Sequence, residues 1–149
     1  MTQNIYDTPE FFEGYSQMAR SVHGLDGAPE WPAVRALVPD VKGRDVVDLG
    51  CGFGWFCRWA DEQGAANVLG LDVSENMLAR ARDTTRSTTI RYQRADLDQL
   101  QLPPQSVDLA YSSLTLHYLE HLPALFATVH QALKPGGRFV FSAEPPIYT

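Results

Sequence analysis

Cysteine is nearly absent from this chain: its 149 residues include two, Cys51 and Cys57. They stand six apart across what reads as a turn and a helix start. That is not metal-ligand spacing, and two cysteines are too few for a disulfide framework. Positive charge is also scarce, with 12 lysines and arginines against 18 acids and a net charge of −6. No basic block or stripe appears, which argues against a surface that tracks phosphates and so against a nucleic-acid partner. No apolar run nears membrane-spanning length, and the first residues lack a signal-peptide pattern. The expected location is therefore the cytoplasm, with no membrane partner. Neither a Ser/His/Asp arrangement nor a metal-ligand cluster is present, and no internal repeat or low-complexity tract occurs. What is there, 44% hydrophobic and 20% charged residues, suffices for one globular domain with a sizeable core.

The apolar pattern places strands near 46–49, 68–72, 90–95, 107–112 and 138–143, alternating with helices. That rhythm predicts an α/β fold with a parallel sheet covered on both faces. One helix is expected from Trp55 to about Gln63, stopped by Gly64. A second runs from Glu75 to about Asp83, capped by Ser74, with Met77, Leu78 and Ala81 turned inward. A third carries the stripe Leu122, Leu125, Phe126, Val129 and Leu133, and Lys134-Pro135-Gly136-Gly137 ends it before the last strand. Residues 1–40 read as a helical cap or lid segment and 41–149 as the α/β core of a single domain.

The chemistry concentrates in Val46-Val47-Asp48-Leu49-Gly50-Cys51-Gly52-Phe53-Gly54. An apolar strand ends in an acid, three glycines follow at alternate positions, and a helix opens at Trp55. Strand, glycine turn and helix let a backbone press against a nucleotide-like ligand. A dinucleotide fingerprint wants a small residue where Trp55 stands, so a pyrophosphate on this turn is disfavoured. Asp72 ends the second strand 20 residues beyond Gly52, the distance at which a carboxylate meets ribose hydroxyls. A carboxylate suits that place because it can accept from both the 2′ and 3′ hydroxyls.

Asp48-Leu49-Gly50-Cys51-Gly52-Phe53-Gly54 resembles motif I of the class I S-adenosylmethionine-dependent methyltransferases, small-molecule type. Leu133-Lys134-Pro135-Gly136-Gly137 before a strand is a second match, and the likeness extends from Phe11 to about Glu144. It implies a Rossmann-like three-layer sandwich and S-adenosylmethionine as cofactor, with S-adenosylhomocysteine as product. By that resemblance Asp48, Gly50, Cys51 and Gly52 belong to the cofactor turn, and Val73 and Met77 line the adenine. Ala95, Asp96 and Leu97 edge it, the acid accepting from the exocyclic amine. Tyr15 and Arg20 approach the methionine carboxylate, for which a guanidinium fork is apt. Ser112, Leu114 and His117 leave the fourth strand at the ligand end as candidates for the cofactor's methionine arm or the acceptor, and His117 and Tyr118 are candidates for the acceptor side. Methyl transfer from a sulfonium needs alignment and exclusion of water, with a base only where the acceptor must lose a proton. The implied reaction is methylation of a nucleophile on a small molecule.

Two other readings stand beside it: a module that binds S-adenosylmethionine without catalysis, and a nucleotide-binding oxidoreductase. Family sheets resemble the strand order 3-2-1-4-5-7-6, whereas this sequence stops at Thr149, directly after the fifth strand. The expectation is a sheet without its last two strands. Its fifth strand, with Phe139, Val140 and Phe141, would then be an edge open to a second copy of the chain.

Overall fold

The computed structural model describes residues 24–113 and 119–142. Five strands form one parallel sheet: β1 (Asp45–Leu49), β2 (Asn67–Asp72), β3 (Ile90–Arg94), β4 (Val107–Ser113) and β5 (Leu133–Ser142), in the order β3-β2-β1-β4-β5. Helices α1 (Trp31–Leu37), α2 (Trp55–Glu62), α3 (Glu75–Asp83) and α4 (Leu122–Ala132) connect or flank them. The expected Rossmann-like α/β architecture is what the chain adopts. The order reverses between β1 and β4, whose carboxyl ends therefore lie side by side. Ligands of open α/β sheets bind at that place.

Alternation along β1 divides the core. Val46 packs with Trp31, Val34, Phe56, Cys57, Ala60 and Tyr111 on one face. Val47 and Leu49 pack with Leu125, Val129 and Ala132 of α4 on the other. On the first face the Phe56 and Tyr111 rings stack at 3.5 Å and 8°, and Trp31 meets Phe56 edge-on at 6.1 Å. This stack fastens α2 over β4 and sets where the preceding glycine turn sits.

The amino ends of the strands carry an ionic cluster. Lys134 Nζ lies 2.7 Å from Asp45 and 3.3 Å from Asp108, and Asn67 donates to Asp45 at 2.7 Å. Lys134 comes there through a departure from the sequence expectation. Strand β5 begins at Leu133, paired with Val107, and its register then skips to Arg138 opposite Leu109. Residues 134–137 bulge out through Gly136, whose φ is 80°, and Lys134 is carried onto the two acids. Phe126 also departs from expectation. It lies at the margin of its helical stripe, 39% exposed, in a ring cluster with Phe139 and Phe141. Among the described residues β5 is a sheet edge, and Phe141 on it is 45% exposed.

Candidate cofactor site at the glycine turn

The turn after β1 is built from three left-handed glycines, Gly50, Gly52 and Gly54, with φ of 82°, 54° and 83°. Its first residues are tied to β2: the Gly50 and Cys51 amides both donate to the Leu71 carbonyl, at 2.7 and 2.9 Å. The next tie comes from Asp72. One of its carboxylate oxygens accepts from the Gly52 amide at 2.8 Å and the other from the Ser74 amide at 2.9 Å. Asp72 thus shapes the turn besides standing at the carboxyl end of β2. Each carboxylate oxygen can accept more than one donor, so this duty is compatible with binding hydroxyls. Ser74 caps α3 as expected, accepting from the Met77 amide at 3.2 Å.

The glycines have different reasons to be glycine. Among the described residues, a β-carbon on Gly52 would meet nothing within 4 Å. A β-carbon on Gly54 would run into the Tyr92 hydroxyl and come within 2.8 Å of the Arg58 guanidinium. Gly52 therefore borders open space beside the Asp72 carboxylate, and Gly54 is closed in by packing. Open backbone next to a mostly buried acid is a cradle suited to a ligand rich in hydroxyls and small polar groups, as a nucleoside is.

Behind the turn lies a buried acid–thiol cluster. Asp48 is 2% exposed and its carboxyl is pushed up to about 8, chiefly by burial, with the Asp72 charge adding to the rise. The Cys57 thiol donates to Asp48 at 3.5 Å and is hydrogen-bonded to Cys51. That bond to Cys57, together with burial, raises the Cys51 thiol well above its ordinary range. At Cys57 the same bond acts downward, but burial and the nearby Asp48 outweigh it. Both cysteines are buried free thiols, so Cys51 offers the turn its backbone while its side chain belongs to the core.

The other residues expected at the site lie around the carboxyl ends of β2, β3 and β4. Val73 is half-buried after Asp72, and Met77 is 1% exposed on α3. The Ala95 amide donates to the Asp72 carbonyl at 2.9 Å, which places the turn after β3 against β2. Asp96 accepts from the Asp98 amide at 3.0 Å at the head of a short 3-10 turn, Leu97–Gln99, in which Leu97 is core. Ser112 is fully buried and its hydroxyl donates to the Leu49 carbonyl at 2.7 Å, locking β4 to β1. Tyr15, Arg20, Leu114, His117 and Tyr118 lie outside the described residues. Sequence reasoning missed Arg58, Thr84, Thr85 and Tyr92, which gather behind the turn (Arg58 Nη1 to the Phe53 carbonyl, 2.8 Å).

Among the described residues no group of acids, histidines and cysteines is placed to hold a metal, and no helix is long and apolar enough to cross a membrane. Residues 47–141 match the family model described as a methyltransferase domain. The chain is similar to an S-adenosylmethionine-dependent methyltransferase of Mesorhizobium loti, with 68% identity and a TM-score of 0.80 over 81% of this chain and 55% of that one. It is 37% identical to the trans-aconitate 2-methyltransferase of Deinococcus radiodurans over 77% of this chain and 44% of the relative. To the malonyl-[acyl-carrier protein] O-methyltransferase of Pectobacterium atrosepticum it is 36% identical, over 72% and 41%. The chain thus spans about half the length of these relatives. With β1, its glycine turn and the sheet through β5 all inside the matched region, the chain belongs to the methyltransferase domain family and has its class I fold.

Proposed function

We propose that this chain binds S-adenosylmethionine at the glycine turn and forms the cofactor-binding part of a methyltransferase acting on a small-molecule nucleophile. The observation that carries the reading is Gly52: a left-handed residue with open space where its side chain would stand, its amide held by the Asp72 carboxylate. The buried acid and the bare backbone beside it fit a nucleoside with an amino-acid tail. When bound, the cofactor supplies a methyl group already activated on a sulfonium.

The work of this chain's own residues is then to bind and orient. Asp72 accepts from the ribose hydroxyls while fixing the turn, and Gly50, Cys51 and Gly52 present backbone to the cofactor. Val73, Met77, Ala95, Asp96 and Leu97 form the adenine side. Asp48, its carboxyl raised to about 8 by burial, keeps the floor of the turn free of a buried charge at neutral pH. Tyr15 and Arg20 are assigned to the methionine carboxylate, Ser112, Leu114 and His117 to the methionine arm, and His117 with Tyr118 to the acceptor. We place the protein in the cytoplasm, with the β5 edge and its Phe126, Phe139 and Phe141 cluster as the surface for a second copy.

The relatives' names give malonyl-[acyl-carrier protein], trans-aconitate and phosphoethanolamine as their acceptors, so both carboxylate and amine nucleophiles belong in the test. The test is incubation with S-adenosylmethionine labelled in its methyl group and a panel of small carboxylates, amines and thiols. Label in an acceptor that depends on an intact Gly52 supports the reading. Retention of S-adenosylhomocysteine without transfer to any acceptor would reduce it to cofactor binding.

A further inference from the structure

We propose that Arg58 is a positioning residue for the cofactor turn, a clamp that fixes the backbone of residues 52–54 from behind. The inference rests on the reading of that turn as the S-adenosylmethionine site. The buried side chains of Cys51 and Phe53 anchor the turn to the core, but its three left-handed glycines leave the backbone between them to be held by hydrogen bonds. A site that must be ordered on binding loses affinity to that ordering. Asp72 supplies one fixing point, the Gly52 amide. Arg58 supplies the next. Its amide donates to the Gly54 carbonyl at 3.0 Å, and its Nη1 donates to the Phe53 carbonyl at 2.8 Å. Phe53 stands between two of the left-handed glycines, so this carbonyl reports directly on the turn's conformation.

The guanidinium is itself held. Nη1 also lies 3.1 Å from the Thr84 hydroxyl and 3.3 Å from that of Thr85, so its two hydrogens are shared among three acceptors. The Thr84 hydroxyl donates to the Arg80 carbonyl at 2.9 Å, and the Thr85 and Tyr92 hydroxyls are 2.8 Å apart. The Tyr92 hydroxyl fills the space a Gly54 β-carbon would need, which closes the ring back onto the turn. The guanidinium also lies 4.7 Å from the centre of the Trp55 ring, a cation–π contact at the head of α2. Both ends of α3 therefore hold the glycine turn. Its amino end does so through Ser74, Asp72 and Gly52, and its carboxyl end through Thr84, Thr85 and Arg58 to Phe53. The turn and the adenosine-side helix are one mechanical unit.

The test uses Arg58→Met, which keeps the stem and loses the donors, and Arg58→Lys, which keeps the charge but not the fork. Three quantities are read on each folded variant: S-adenosylhomocysteine affinity by calorimetry, Tm, and amide hydrogen exchange at Phe53 and Gly54 against that of β1. Arg58→Met should bind on the order of tenfold more weakly, the loss expected for a hydrogen bond from a charged donor, with Arg58→Lys between it and the parent. Exchange should quicken at the turn and stay unchanged in β1. A residue that only supports the fold would lower Tm and leave affinity and turn exchange as they were, and that result overturns the proposal. If Arg58→Met does not fold, the Thr84→Val, Thr85→Val double variant decides by the same readouts. If the parent protein itself takes up no S-adenosylhomocysteine, the cofactor reading fails. Exchange at the turn then still decides whether Arg58 holds it.

Discussion

Gly52 and Gly54 have the same backbone sign and opposite surroundings, so alanine at each should separate binding from stability. At Gly54 a methyl group would collide with the Tyr92 hydroxyl, lie 2.8 Å from Arg58 Nη1 and 3.0 Å from Tyr92 Cζ. A left-handed conformation at φ 83° costs a non-glycine residue about 1–2 kcal/mol, and forced overpacking adds about 1–3. Gly54→Ala should therefore lose roughly 2–5 kcal/mol, or on the order of 5–15 °C in Tm for a chain of this size. At Gly52 the methyl meets nothing within 4 Å among the described residues, so the backbone term of about 1–2 kcal/mol is the expected cost. The space it enters is the space assigned to the cofactor. Gly52→Ala should stay folded and lose S-adenosylhomocysteine affinity by at least tenfold, and Gly52→Val should abolish binding. Urea titration gives the first quantity and calorimetry the second. Equal stability losses at the two positions, or parental affinity in Gly52→Ala, would refute the assignment of open ligand space to Gly52.

Asp48 and Lys134 give predictions in pH. Burial raises the folded-state value of Asp48 to about 8 from an unfolded value near 3.9, so the folded form holds a proton that the unfolded form has released. Its contribution is full below about pH 4 and is lost as pH rises through about 8. Asp48→Asn, which keeps the neutral shape, should flatten that part of the stability curve and gain on the order of 1–4 kcal/mol at pH 7. Urea midpoints from pH 4 to 8 that run parallel in parent and variant would contradict it. For Asp45 the hydrogen bond from Lys134 lowers the carboxyl, so the sign is opposite: stability is present above the ordinary carboxylate range and lost as pH falls through the depressed value. Lys134→Gln should lower Tm at pH 7, and the gap should close as acidification protonates Asp45.

What the sequence made legible was local. The alternating glycines, Asp72 at the end of β2, the Ser74 cap and the inward face of Met77, Leu78 and Ala81 all follow from short-range spacing, and the structure places each within one turn of where spacing puts it. The alternation of strands and helices implied a parallel sheet, while its strand order came with the family resemblance. The role of Gly54 was not legible. It depends on Tyr92 and Arg58, which reach it only after β3 and α2 have packed. Arg58 looks like any exposed basic residue on a helix until Thr84, 26 positions on, comes back to meet it. Asp72 reads in the sequence as a hydroxyl acceptor, and its second task, holding the Gly52 amide, appears only with the folded turn. Phe126 sits at the margin of a clean helical stripe, and periodicity alone could not tell core from rim. The bulge at 134–137 was hidden for a similar reason, since a Pro-Gly-Gly run announces a break but not the register on its far side.

The central claim is that the turn between β1 and α2 takes S-adenosylmethionine rather than a dinucleotide. Its most direct test is calorimetric titration of S-adenosylhomocysteine and, separately, of NADH into the 149-residue chain and into Asp72→Ala. One-to-one binding of S-adenosylhomocysteine is expected, with no binding of NADH and a loss of roughly 1.5–3 kcal/mol in affinity in the variant, the worth of hydrogen bonds to a charged group. Binding of NADH in place of S-adenosylhomocysteine, or an affinity that Asp72→Ala leaves unchanged, would contradict it.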